Sequence, residues 1–345
     1  MNITLNDTPG KLGLYPFTLT RSVADIRVGI LTIREKWQHV AKEVNILPDQ
    51  LNDVEKEIII PANVIPSYKY LKLVSSQKKH TEKAAFKTLE HPWQIFQFND
   101  FAIREDYKLL TKNRRSKKIS STNKVIGKAI FIEEGAVVEH SILNSSTGPI
   151  YIGKNAVIME GSMIRGPFAL CEGSVLKMGT KVYGATTVGP YCVAGGEIKN
   201  AIMFGYSNKA HDGYLGDSVI GEWCNIGAGT SNSNIKNTAG EVKIWNGFKN
   251  EFINSGLKCG LLMGDYSRAT INTSFNTGTV VGVSSNVFCN GFTPSFIDNF
   301  TWGNENYNLQ KALDHISNWK KLKGHILSQQ EINKLTEIYN QKNNA

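Results

Sequence analysis

Apolar side chains recur at every sixth position through the middle of the chain. Ile152, Ile158, Ile164, Leu170, Leu176, Val182 and Val188 form an unbroken series; Ile126, Ile132 and Val138 precede it at the same interval. Ile220 and Ile226 continue it, and Met263, Ala269, Phe275, Val281 and Val287 resume it. A period of six fits neither an amphipathic helix nor an alternating strand. It fits a parallel β-helix with three-sided coils, in which each six-residue unit supplies one short strand and one corner. Every sixth side chain then points inward, and residues eighteen apart stack at roughly 4.8 Å. Small residues follow at the corners, as in Ile-Gly at 152–153 and 220–221. The alternative is a β-sandwich with coincidental spacing, against which seven successive matches weigh heavily.

Two interruptions stand out. The register breaks between Glu139 and Tyr151, and the stretch from Asn200 to Tyr214 carries no inward period, which predicts a loop leaving the solenoid there. Such loops on a rigid scaffold are where chemistry tends to sit. Beyond Tyr307, Leu309, Leu313, Ile316, Trp319 and Leu322 fall on one face of a helix; Ile332, Leu335 and Ile338 mark a second, with Gly324 as the break. At the other end, Ile3 and Leu5 suggest a strand, and the apolar run Ile58 to Pro66 another. The fold class is therefore mainly β: a small α/β region over 1–115, a basic linker over 116–124, a β-helix over 125–298 and a helical tail over 305–345.

Composition sharpens these boundaries. Of 31 glycines, 26 lie between Gly127 and Gly291, and all five cysteines share that window. Cys171, Cys192, Cys224, Cys259 and Cys289 form no CxxC pair and read as reduced core thiols, with neither a disulfide framework nor a zinc site. No metal site is expected. No apolar run is long enough to span a bilayer and the start carries no signal segment, so the expectation is a cytoplasmic protein without a membrane partner. The net charge of +9 calls for an anionic partner. The basic run from Lys112 to Lys124 has no interleaved aromatic residue for base stacking, so it reads as a solvated linker and not as a nucleic-acid site, although Arg114 and Arg115 could still meet a phosphate.

Gly-Glu-Ile-Lys at 196–199, Ser-Asn-Lys-Ala-His at 207–211, Tyr-Leu-Gly-Asp at 214–217 and Asn-Ile-Gly-Ala-Gly-Thr at 225–230 resemble the acetyltransferase half of bacterial bifunctional N-acetylglucosamine-1-phosphate uridylyltransferases. Pro-Phe-Thr-Leu-Thr-Arg at 16–21, the run from Val23 to Trp37, Gly-Pro-Phe-Ala-Leu-Cys-Glu at 166–172 and the run from Phe275 to Val283 resemble a shortened alternative branch of that family. The resemblance, like that to hexapeptide-repeat proteins in general, implies a left-handed coil and a homotrimer packed along flat faces. It implies His211 as catalytic base, oriented by Glu197. Lys199 would bind the sugar phosphate, Tyr214 and Asn225 the sugar, and Asn234 the sugar or base region. Ala228 would lie beside the acetyl-CoA thioester. Lys181, eighteen residues before Lys199, fills the place of a phosphate-binding arginine. The family's tyrosine after Asn234 is Ile235 here, and Lys236 and Lys243 compete for its next lysine. Independently of the family, imidazole suits the removal of a proton from an amino-sugar ammonium near neutrality. On residues alone, His211 could equally be an exposed loop histidine beside Asp212.

The N-terminal half resembles a nucleotidyltransferase more faintly. Its phosphate loop is thin: Thr-Pro-Gly-Lys-Leu-Gly at 8–13 offers Lys11, with Arg21 and Arg27 following as candidate nucleotide-binding residues. A turn with surface charges explains the segment as well. Asn63 stands where the family's magnesium-binding aspartate would, and an amide is the poorer ligand. The expectation is a reduced domain whose magnesium-dependent transfer from UTP is impaired or absent. The leading function is acetyl-CoA-dependent N-acetylation of an amino-sugar phosphate, with glucosamine 1-phosphate as acceptor, in nucleotide-sugar and cell-envelope precursor synthesis. The alternatives are a nucleotidyltransferase whose solenoid only binds sugar or assembles the trimer, and a non-enzymatic sugar-nucleotide scaffold.

Overall fold

The computed structural model describes residues 2–47, 58–76 and 85–343. From Lys124 to Trp302 the chain winds as a β-solenoid of short parallel strands. Ile152, Ile158, Ile164, Leu170, Leu176, Val182 and Val188 all point into one buried stack, as do Met263, Ala269, Phe275, Val281 and Val287. Ile126 departs from the expected series: it is 42% exposed, and its neighbour Val125 holds the position in register with the inward Leu143. The break from Glu139 to Tyr151 is a corner insertion, with Ile130 paired to Ile150, twenty residues on.

The stretch from Asn200 to Tyr214 does not leave the solenoid. The strand Glu197–Gly205 turns a corner at Asn200, whose φ of 50° places it in the left-handed region. Its first residues pair with Lys181–Tyr183 and its later ones with Thr187 and Val188. Thr187 meets Ile202 and Val193 meets Asn208, both fifteen residues on, whereas Ile164 meets Val182 at eighteen. The inward phase is kept by Ile198, Met203, Lys209, Leu215 and Ile220. Tightened corners, not an extruded loop, removed the six-residue signal. One edge of the shortened coils is marked by rings: Tyr191, Tyr206 and Trp223 each take a left-handed corner conformation and stack at 5.2 and 4.4 Å, with His325 edge-on against the last two.

The true extrusion lies later. Val219 pairs with Leu262, and the chain between them carries the antiparallel hairpin Val242–Asn246 and Glu251–Gly256. Its partly alternating apolar runs on either side of Gly-Phe-Lys-Asn at 247–250 were the available signal. The hairpin reaches the N-terminal region, where Asn246 donates to the Leu12 carbonyl at 3.0 Å and Phe248 meets Tyr15 edge-on at 5.6 Å.

The N-terminal region has a parallel sheet in which Asn2–Asn6 lies between Glu43–Leu47 and Ile58–Pro61. Ile3 and Leu5 are fully buried. Helix Ile33–Gln38 starts with a reciprocal Thr32/Glu35 cap, and its Lys36 is buried in an ion pair with Asp106 of helix Asn99–Thr111. Asp106 also accepts from the amides of Ile30 and Leu31, at 2.8 and 3.1 Å. This region shares its apolar core with the solenoid; Phe17 packs on Phe204 at 5.2 Å. Residues 116–124 run along the first coil, with the Lys117 amide donating to Ile132 and Arg114 paired to Glu133. The C-terminal helices are Leu309–Leu322 and Gln329–Asn343, on either side of Gly324. Leu313 and Ile316 face inward as expected, while Leu322 is exposed. Four cysteines are buried thiols, but Cys289 is exposed on the penultimate coil, which corrects its assignment to the core.

Arg21 clasps the two regions together. Its guanidinium is ion-paired to Asp265, lies 3.3 Å from Glu222, and rests over the Phe204 ring. Removing one member of a buried ion pair leaves uncompensated charge, so Arg21→Ala is expected to cost about 3–5 kcal/mol. Urea unfolding of the full chain checks this; a loss below about 1 kcal/mol would contradict a clasp of this kind.

Candidate active site

The register of three strands builds the site. Lys181, Glu197 and Tyr214 lie side by side on successive coils, as do Tyr183, Lys199 and Gly216; between the two rows, Val182, Ile198 and Leu215 point inward. The expected stacking of Lys181 on Lys199 is therefore not what forms. The shortened coil moves the partner by two residues, so Lys181 lies beside a carboxylate and Lys199 beside an aromatic ring. The Lys199 ammonium is 5.8 Å from the Tyr183 ring centroid.

Tyr183 donates from its hydroxyl to Glu197 Oε1 at 2.6 Å. That bond to an anion, followed by burial, pushes the phenol up to about 12. Tyr214 folds over Gly216, where an added Cβ would lie 2.2 Å from its hydroxyl. The Tyr214 hydroxyl accepts from Asn234 Nδ2 at 3.2 Å, and burial, reinforced by Asp217, raises its titration well above the ordinary phenol range. Asp217, itself at a left-handed corner, accepts from both Asn200 and Asn234. Lys181, Glu197, Lys199, Tyr214 and Asn234 are thus brought to one face. Tyr183 and Asp217 belong with them and were missed; Tyr183 could have been found from its outward phase, two residues after Lys181.

His211 is exposed in the turn between Asn208–Lys209 and Tyr214–Glu222. Among the described residues its imidazole has no hydrogen bond or ion pair, and Glu197 turns to Tyr183 instead of orienting it. Ala228 lies one coil on; the amide of the next residue, Gly229, donates to the Asp212 carbonyl at 3.0 Å and ties that corner to the histidine turn. Asn225 sits elsewhere, in the ladder Asn208–Asn225–Arg268–Asn286. Lys323, just beyond the helix Leu309–Leu322, donates to Asn208 at 3.0 Å, and Trp319 of that helix lies over Arg268. Asn225 does not join Tyr214, because the two occupy different flanks of the prism.

The candidate nucleotide residues are placed differently from expectation. Arg21 is occupied by Asp265 and Glu222, and Arg27 donates to the Phe204 and Ile30 carbonyls with Glu35 at 3.4 Å. Both guanidinium groups bind the protein to itself. Lys11 lies in the short turn Lys11–Gly13, backed by Gly10, whose Cα is close to the Asn63 side chain. Asn63 donates to the Leu89 carbonyl at 2.9 Å. The Asn63 Oδ1 is buried without a hydrogen-bond partner, and as a neutral amide oxygen it is a poorer magnesium ligand than the carboxylate it replaces.

Residues 3–80 and 52–115 match the family described as sugar nucleotidyl transferase. The chain is similar to the bifunctional protein GlmU of Methanococcus maripaludis, 30% identical over 221 residues, spanning 64% of this chain and 47% of that protein. It is also similar to the bifunctional sugar-1-phosphate nucleotidylyltransferase/acetyltransferase of Sulfurisphaera tokodaii, 34% identical over 93 residues, or 27% and 23% of the two chains. A likeness to the acetyltransferase domain of PglB from Neisseria gonorrhoeae is 11% identical over 86% of this chain and 96% of that one, with a TM-score of 0.22. Fold and matches together define a sugar-nucleotidyltransferase-like front end joined to a hexapeptide-type β-helix. The chain is thus distantly similar in sequence to GlmU-like bifunctional nucleotidyltransferase/acetyltransferases, and it spans at most about half the length of these two curated relatives. Among the described residues no helix is long and apolar enough to cross a membrane.

Gly216→Ala is expected to displace the Tyr214 ring and break its bond with Asn234, at a cost of about 1 kcal/mol. A crystal structure of the variant with Tyr214 unmoved would contradict that geometry.

Proposed function

We propose that the chain is an acetyl-CoA-dependent N-acetyltransferase acting on an amino-sugar phosphate, glucosamine 1-phosphate being the best candidate, in the synthesis of nucleotide sugars for the cell envelope. The observation that carries this reading is the strand face in which Lys181 and Lys199 flank a Tyr183–Glu197 pair, beside an exposed histidine turn. The two ammonium groups suit a phosphate; Tyr214 and Asn234 offer an aromatic edge and an amide for sugar hydroxyls.

In the proposed reaction His211 takes a proton from the acceptor ammonium. The freed amine attacks the thioester carbonyl, the carbon–sulfur bond breaks, the coenzyme A thiolate takes the proton held by His211, and the nitrogen releases its second proton to solvent as the amide forms, so that one proton is released overall. Backbone amides near Ala228 are the candidate oxyanion donors. A homotrimer in which neighbouring copies complete each site would bring together Asn225 and Tyr214, which lie on different flanks of a single copy. The match of residues 3–115 favours a second reading, a sugar-phosphate nucleotidyltransferase using UTP. The occupied Arg21 and Arg27, and the amide at Asn63, weigh against it.

Release of free coenzyme A in the presence of glucosamine 1-phosphate tests the proposal. His211→Ala is expected to lower turnover by about 10²-fold or more, with an unchanged circular dichroism spectrum. Undiminished turnover in that variant would remove His211 from the role.

A further inference from the structure

The interior of the solenoid contains one charged side chain that its packing does not call for. Lys209 is in register with Ala194 of the preceding coil, at a position otherwise given to aliphatic residues, and is 1% exposed. Its stem lies among Leu215, Ile226, Leu261 and Phe275. A buried ammonium is unfavourable unless it is bonded, and this one donates to the main-chain carbonyl of His211. The neighbouring carbonyls of that turn are satisfied from outside: Asp212 accepts from the Gly229 amide at 3.0 Å and Gly213 from the Glu197 amide at 3.2 Å. The His211 carbonyl is taken from inside the prism, and Gly196 closes over it; a Cβ there would come within 2.8 Å of the oxygen.

We propose that Lys209 is a positioning residue for the acetyl-transfer site, anchoring the turn that presents the His211 imidazole by holding its carbonyl from within the solenoid. The inference rests on the reading of His211 as base. Three bonds, two from adjacent coils and one from the core, hold three successive carbonyls, so the turn projects His211 from a fixed base although its ring is free. Asp212 is the charged group that acts on Lys209, and Tyr214 is the other titratable side chain lining the same interior space. Burial brings the ammonium down to about 8, within reach of ordinary titration.

The experiment compares Lys209→Met, which keeps length and removes the donor, with Lys209→Gln, which keeps a neutral donor, both in the full chain. In coenzyme A release assays, Lys209→Met is expected to lower kcat about tenfold or more with KM for both substrates within about twofold, and Lys209→Gln to recover most of kcat. In NMR titrations the His211 ring of the unsubstituted protein should show a second inflection near pH 8, lost in both variants. Equal kcat in Lys209→Met and the unsubstituted protein, or equal losses in Met and Gln, would overturn the proposal. If His211→Ala stays active, the reading of the base fails instead, and the NMR inflection still reports whether Lys209 acts on the turn. Backbone amide shifts of His211, Asp212 and Gly213 unchanged in Lys209→Met would overturn the anchoring whatever the kinetics.

Discussion

Everything on the outside of this molecule is placed by what its inside demands. Each coil must deliver an aliphatic side chain to the central stack on each flank, and neighbouring strands must keep their ladder of backbone hydrogen bonds. With those two conditions met, the number of residues per coil decides which outward side chains become neighbours. Between Lys181 and Tyr214 that number falls, and the consequence is chemical: a carboxylate comes between a lysine and a tyrosine, and a second lysine comes beside another tyrosine. The site is a product of coil length as much as of residue identity.

The N-terminal region is built on a different principle but is not an independent body. It shares apolar core with the solenoid, and its Arg21 and Arg27 are directed into that junction. Asn99 illustrates the same union, accepting from the Gly29 amide at 2.8 Å while donating to the Ala185 carbonyl at 2.9 Å. Arg21 and Arg27 of this region are spent on contacts that join it to the solenoid.

Periodicity made the solenoid legible, because an inward position recurs at fixed spacing wherever corners have fixed length. It failed where corners shortened. The stretch from Asn200 to Tyr214 looked aperiodic for that reason, and the lysine at 209 hid an inward position behind a charge. The helices at the C-terminus were legible from Leu313 and Ile316, since an amphipathic face needs no knowledge of its partner. Site residues were legible only through their flanking motifs: Lys181, Glu197, Lys199, Tyr214 and Asn234 do share a face, but the pairings among them depend on a register that the residues do not announce. Asn225 was grouped with Tyr214 through motif spacing, although it lies on another flank.

The pile of rings along one edge suggests how such a site could be retuned. Tyr191, Tyr206 and Trp223 keep that edge continuous across coils of different length, much as the spine of a book stays aligned while individual pages are trimmed. Loss or gain of two residues at an opposite corner would then slide a whole row of outward groups past its neighbour while keeping the inward stack. A deletion of that kind exchanges several contacts at once, whereas a substitution exchanges one.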